Sequence, residues 1–247
     1  MNNLISATEI DAWARQNPRR AQELLPELIV RLILCSSSKI NDYNFPIEKG
    51  IQFSGYDGVL ESGETTSYFP EGKSVWEFGT NEDVLGKFRS DIEKRHMDSL
   101  GVDINNTAFI FSTLKIWNHK SSIEEVLNES RLKYNWKEIR IIDGAKIALW
   151  LQSHTAVAVW LANIIGKHIH GIRTIEDYWT DYCETTLPKL SKDYFLLGRD
   201  SQINQLSKWL EKKSGSLTLI SESSIESVLF VAAYLLNNSE CNQAVMN

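Results

Sequence analysis

Cysteine is scarce in this sequence, and long apolar runs are missing from it. Cys35, Cys183 and Cys241 are the only three in 247 residues, far apart and odd in number. Neither a disulfide framework nor a zinc-binding spacing can be assembled from them, so a reducing cytosol is the expected setting. No stretch approaches the ~18 uninterrupted apolar residues of a membrane span. The best candidate, residues 24–35, is broken by Pro26, Glu27 and Arg31. Residues 1–10 have no basic segment leading into an apolar core, which argues against a secretory signal. The sequence also lacks internal repeats, low-complexity tracts, a Gly-x-Ser-x-Gly elbow and any Cys/His pairing. Those last two absences argue against a hydrolase with a covalent nucleophile.

What is present is a globular composition, 43% apolar and 23% charged, which excludes a disordered, collagenous or coiled-coil chain. At ~100–200 residues per domain, the length suggests one large domain with at most a small appendage. Lys and Arg number 26 against 32 Asp and Glu, a net charge of −6. A uniformly basic coat for nucleic acid is excluded, whereas a local basic patch is not.

The pattern along the chain predicts alternating strands and helices. Ser6 and Glu9 form a capping box for a helix to about Gln16. Pro18 opens a second helix with an apolar set at Leu24, Leu25, Leu28, Ile29, Leu32 and Ile33. Residues 42–46 are expected to be a loop. Ile51 and Phe53 alternate with polar neighbours as in a strand, residues 59–61 resume it, and residues 74–78 form another. Asn81 or Asp83 caps a helix to Met97. Residues 107–112 are near-continuously apolar, as in a strand buried on both faces. Ser121 or Ser122 starts the next helix, residues 138–142 form a second buried strand, and helices are expected over 145–152 and 156–165. This order implies an α/β domain with a mixed sheet. Further on, residues 174–185 read as a helix, 186–193 as a linker, 216–221 as a strand and 228–236 as a helix.

The chemistry concentrates between Gly55 and Lys87. Asp57 follows one strand, Glu77 lies inside a later one, and Lys87 is in the helix after that. Two carboxylates on adjacent strands can point at one spot and bind Mg²⁺ or Mn²⁺, which prefer oxygen ligands. Such an ion activates water and neutralises phosphate charge, and a nearby Lys can orient the water or stabilise the transition state. Each residue also has a plainer reading: Asp57-Gly58 suits a turn, and a helical Lys is ordinarily a solvated charge. An ionised Glu77 between Trp76 and Phe78 needs a partner if it is half-buried. By strand alternation Trp76 points to the opposite face and packs in the core, and Trp13, Trp150 and Trp160, at helical spacing with Leu and Ala, are expected there too. Arg19, Arg20, Lys87, Arg89, Lys94, Arg95, Lys115, His119 and Lys120 form local basic clusters that can meet phosphates or simply face solvent. His168 and His170 have no third ligand in view.

Gly55-Tyr56-Asp57-Gly58, followed by Pro70-Glu71-Gly72-Lys73-Ser74-Val75-Trp76-Glu77-Phe78-Gly79-Thr80, resembles the Mrr-like branch of the PD-(D/E)XK nucleases. The resemblance runs over roughly residues 18–165, through Phe109-Ile110-Phe111-Ser112-Thr113, Trp117, Trp136, Asp143 and Trp150-Leu151. It implies a restriction-endonuclease-like mixed sheet flanked by helices over residues 1–170, cutting double-stranded DNA with Mg²⁺ or Mn²⁺. Asp57 and Glu77 would be the metal ligands. The family's lysine two residues after the acidic ligand is replaced by Gly79, and Lys87 is the expected substitute. Glu27, one turn before Arg31, is a candidate outer carboxylate, and Glu23 could serve equally.

The same resemblance implies an effector domain of a bacterial anti-phage defence protein of STAND type. It would be cytoplasmic and without a membrane partner, and activated by homo-oligomerisation through a sensor or NTPase region that follows. Residues 171–193 would be a helix and linker, and 194–247 the opening of a second, degenerate NTPase-like domain in a longer chain. Residues 221–227, where a phosphate loop would stand, have two Glu and neither Gly nor Lys. ATP binding within this chain is therefore not expected. The alternative to an enzyme is a binding or assembly module of the same fold with a defective site.

Overall fold

A computed structural model describes residues 4–46, 55–167, 169, 175–212 and 216–238. The chain divides into two compact units, residues 1–167 and 168–247.

The first unit opens with α1 (Ala7–Gln16), whose Ser6/Glu9 capping box is formed, and α2 (Pro18–Ser36), with Pro18 in its first turn. Pro26 sits inside α2 and is buried there. Five strands follow: β1 (Ile40–Asn44), β2 (Gly58–Ser62), β3 (Gly72–Phe78), β4 (Ala108–Ser112) and β5 (Glu138–Ile142). They form one mixed sheet in the order β1-β2-β3-β4-β5, antiparallel through β3 and parallel from β3 to β5. Helices α3 (Val84–Met97) and α4 (Ile123–Lys133) connect the parallel strands, and α5 (Gly144–Gln152) and α6 (Thr155–Ile164) end the unit.

Strand alternation divides the core into two. Leu60, Trp76 and Ile110 face α1, α2, α5 and α6. Val75, Phe109, Phe111, Ile139 and Ile141 face α3 and α4. Both crossover helices cover one face, as a sequential parallel order with crossovers of one hand requires. The structure is thus an α/β unit with a five-stranded mixed sheet between helical layers. All five residues of β4 are buried, as its apolar run implied. Trp76 is fully buried, edge-on to Phe45, and Trp150 stacks on Tyr68 with ring centroids 4.1 Å apart.

The expected loop at 42–46 is corrected. Residues Ile40–Asn44 form edge strand β1, paired with β2 and exposed at four of its five positions. An edge strand needs no apolar alternation when neither face is covered, and polar residues protect it from further pairing. The strand expected around Ile51 and Phe53 lies outside the described residues.

The second unit is helical. It comprises α7 (Ile175–Trp179), a π-helical turn (Thr180–Glu184), α8 (Lys192–Leu196), α9 (Asp200–Glu211) and α10 (Ser224–Asn237). Trp179, Cys183, Phe195, Leu229 and Ala233 pack together, and Leu206, Phe230, Tyr234 and Leu235 form a second cluster. The strand expected at 216–221 is corrected: residues 216–220 are irregular, and Ile220 is almost wholly exposed. A strand's backbone groups need a partner, and the described residues of this unit contain no strand to pair with. His168 and His170 lie outside the described residues, as does Cys241.

Candidate functional site

The β2–β3 register carries the site. Gly58 pairs with Trp76, so the next step of the antiparallel ladder sets Asp57 opposite Glu77. Opposed residues on neighbouring strands project to one face. For Glu77 this is the Val75 face, which α3 covers. Asp57 Oδ2 accepts a hydrogen bond from the Phe78 backbone N–H at 2.7 Å, which fixes its carboxylate beside the end of β3.

Helix α3 supplies the other wall. Asp83 caps it, accepting from the Gly86 N–H at 2.8 Å. Val84, Phe88 and Ile92 recur every four residues and pack into the core. The adjoining row, also spaced by four, is Lys87, Asp91 and Arg95. Docking the apolar row on the sheet therefore brings the charged row to the carboxylates.

Together these residues line a pocket of about 350 Å³, with Asp57, Glu77 and Asp91 facing Lys87, Lys94 and Arg95, and with Gln22, Thr80 and Asn81 completing the wall. The Lys87 ammonium bonds Asp91 Oδ1 at 2.7 Å. The Arg95 guanidinium donates to Glu77 Oε1 and to the Gly55 carbonyl. Its other face lies 4.7 Å from the centroid of the Tyr56 ring, and the Tyr56 hydroxyl donates to the Ser99 carbonyl at 3.0 Å.

Burial pushes the Glu77 carboxyl up to about 7, with the Asp57 charge adding to the rise and Arg95 opposing it. Asp91 is raised too, by burial first, against the pull of Lys87. Asp91 Oδ2 is buried and has no hydrogen-bond partner. Carboxylates so perturbed in one cleft mark a functional-site candidate.

The structure thus gathers Asp57, Glu77 and Lys87 into one pocket. It does not bring Glu27 or Glu23 there. Glu27 pairs with Arg31 at 2.9 Å along α2, Arg31 lies against Trp160, and Glu23 pairs with Arg19. Gln22, the neighbour of Glu23, reaches the pocket instead. Asp143, within the resembling stretch, caps α5 and accepts from the Trp117 N–H. Lys115 is buried against Glu82 at 2.6 Å, and Arg89 pairs with Glu129. Sequence reasoning missed Asp91 and did not single out Arg95 from its basic cluster. The signal available was their place four and eight residues after Lys87, on one row of the helix.

Gly79 has a local cause. A Cβ there would run into the Phe111 ring, which is fully buried and packed edge-on against Phe88 at 5.6 Å. The position two beyond Glu77, just past the end of β3, has no room for a side chain, so the pocket's lysine comes from the helix.

The donors fit a hard divalent cation: carboxylate oxygens on adjacent strands, of the kind that hold Mg²⁺ by one or two protein ligands beside water and phosphate. Among the described residues no group of three His, Cys, Asp or Glu side chains is arranged to hold one ion. Asp57 and Glu77 would thus be its protein carboxylates. No family model matches the chain, nor does a curated protein or a solved structure. Among the described residues no helix is long and apolar enough to cross a membrane.

Proposed function

We propose that this chain is a metal-dependent phosphodiesterase of the PD-(D/E)XK kind, a DNA endonuclease effector domain of an anti-phage defence protein. The observation that carries the reading is that Asp57, Glu77 and Lys87 line one pocket. Asp57 and Glu77 would hold Mg²⁺ or Mn²⁺. Such an ion lowers the pKa of bound water and neutralises phosphate charge. Lys87, fixed by Asp91, offers its ammonium to the attacking water or to the phosphoryl oxygens. Lys94 adds a second positive charge for the phosphate backbone. Cutting both strands of a duplex asks for two copies, so activation by oligomerisation belongs to the same reading, as does a cytoplasmic setting.

A second reading has its own support. Arg95 already occupies Glu77, and no lysine stands at position 79. Both features suit a module that holds DNA or protein without cutting. The two readings part on supercoiled plasmid incubated with the full chain in Mg²⁺, Mn²⁺ or EDTA, beside Glu77→Ala. Metal-dependent nicking that disappears in the variant is the expected result. Duplex binding without nicking, indifferent to EDTA and to Glu77→Ala, would establish the module instead.

A further inference from the structure

The pocket contains one carboxylate too many for its hydrogen bonds. Asp91 is buried, with 8% of its side chain exposed. Lys87 satisfies Oδ1, while Oδ2 is out of water and has no partner. A buried acceptor left unpaired is costly and calls for an explanation. Four residues further along the same row of α3, Arg95 is spent on Glu77 and the Gly55 carbonyl.

Resting on the metal-dependent reading above, we propose that Asp91 is a positioning residue that receives Arg95 when Glu77 takes a cation. The guanidinium exchanges one carboxylate for another. With no ion in the pocket, Arg95 donates to Glu77 and to the Gly55 carbonyl. A divalent cation held by Asp57 and Glu77 would repel that guanidinium and compete with it for the Glu77 carboxylate. Asp91, one turn earlier on the same row of α3, then offers Arg95 its unpartnered carboxylate oxygen. An acidic residue four positions N-terminal to a basic one on a helix is the favourable order for such a pair. The planar guanidinium has five donors and stays charged, so it can change acceptors without losing its proton. Asp91 is not itself assigned as a ligand, because Lys87 holds its other oxygen and no three-carboxylate group is arranged around one ion among the described residues.

The test is Mn²⁺ affinity of the full chain, read by paramagnetic resonance, for wild type, Asp91→Asn, Arg95→Gln and the double variant. Asp91→Asn is expected to weaken Mn²⁺ binding about tenfold, within the ~5–150-fold range of coupled sites. Arg95→Gln is expected to tighten it, and the double variant to match Arg95→Gln. Weakening by Asp91→Asn that persists in the Arg95→Gln background would make Asp91 a ligand and overturn the exchange. Unchanged affinity in Asp91→Asn would reduce Asp91 to a structural partner of Lys87. If neither wild type nor Arg95→Gln binds Mn²⁺, the metal-dependent reading itself fails. Should Arg95→Gln not fold, the arginine Nε–H resonances decide. Saturating Mg²⁺ is expected to shift the Arg95 signal in wild type and to move it less in Asp91→Asn. A wild-type signal that stays in place overturns the proposal.

Discussion

At Glu77, burial and the neighbouring Asp57 charge act in one direction and Arg95 in the other, and the balance leaves its carboxyl raised to about 7. An unfolded chain releases that proton near 4.5, the ordinary value for a glutamate. Between these values the native protein holds a proton that the unfolded chain has lost. The stability Glu77 contributes is therefore fully present below 4.5 and is lost as pH rises through about 7. The difference is on the order of 3 kcal/mol. Asp91 is shifted in the same sense. Glu9 is shifted oppositely, down to about 2 by its bond to Lys167, and its window lies below that of Glu77. The urea midpoint is thus expected to fall between pH 5 and pH 8. Asp57→Asn, which removes the like charge, should make the fall shallower. A midpoint flat across this range in the wild type would show that Arg95 keeps Glu77 ionised throughout.

Helix α3 connects its own local stability to the site, because the turn that Asp83 caps also carries Lys87. The Lys87 N–H bonds the Asp83 carbonyl at 3.1 Å, and the Asp83 side chain closes the turn on Gly86. Asp83→Ala should cost about 1 kcal/mol, a fall in Tm of about 2–4 °C, and should slow metal-dependent cleavage, with Asp83→Asn restoring both. Ser122→Ala removes the matching cap of α4. Its Tm loss should be similar and cleavage unaffected, since α4 gives no residue to the pocket. Caps of this kind made α1, α3 and α4 legible in the sequence, and apolar runs rich in Ile and Phe did the same for β4 and, around Arg140, for β5. β1 was not legible, because an edge strand with both faces in water carries no alternation. Residues 216–221 had alternation but, among the described residues of their unit, no strand to pair with. At the site, Asp57 and Glu77 were legible as carboxylates beside and within neighbouring strands, with strand parity turning Glu77 away from the Trp76 face. Asp91 and Arg95 were not, because their place depends on which row of α3 docks, and that is decided by Phe88 and Ile92 meeting Phe109, Phe111 and Val75.

At the scale of the whole chain, residues 1–167 contain what a folding unit needs. Beyond edge strand β1 their sheet is covered on both faces, and the two hydrophobic clusters that do so are built from residues between Leu4 and Ile165. Every residue that lines the pocket, from Gln22 to Arg95, belongs to this unit. Its length sits within the ordinary range for an independent domain. Expressed alone, residues 1–167 are therefore expected to unfold in one cooperative transition and to bind Mn²⁺ as the full chain does. The salt bridge from Lys167 to Glu9, 2.7 Å long, ties the last residue of this unit back to α1, so a cut before Lys167 should lower Tm while leaving Mn²⁺ affinity alone. Loss of Mn²⁺ binding from a folded 1–167 would mean that residues 168–247 supply part of the site. The pocket as built from β2, β3 and α3 would then be incomplete, whatever its carboxylates can do.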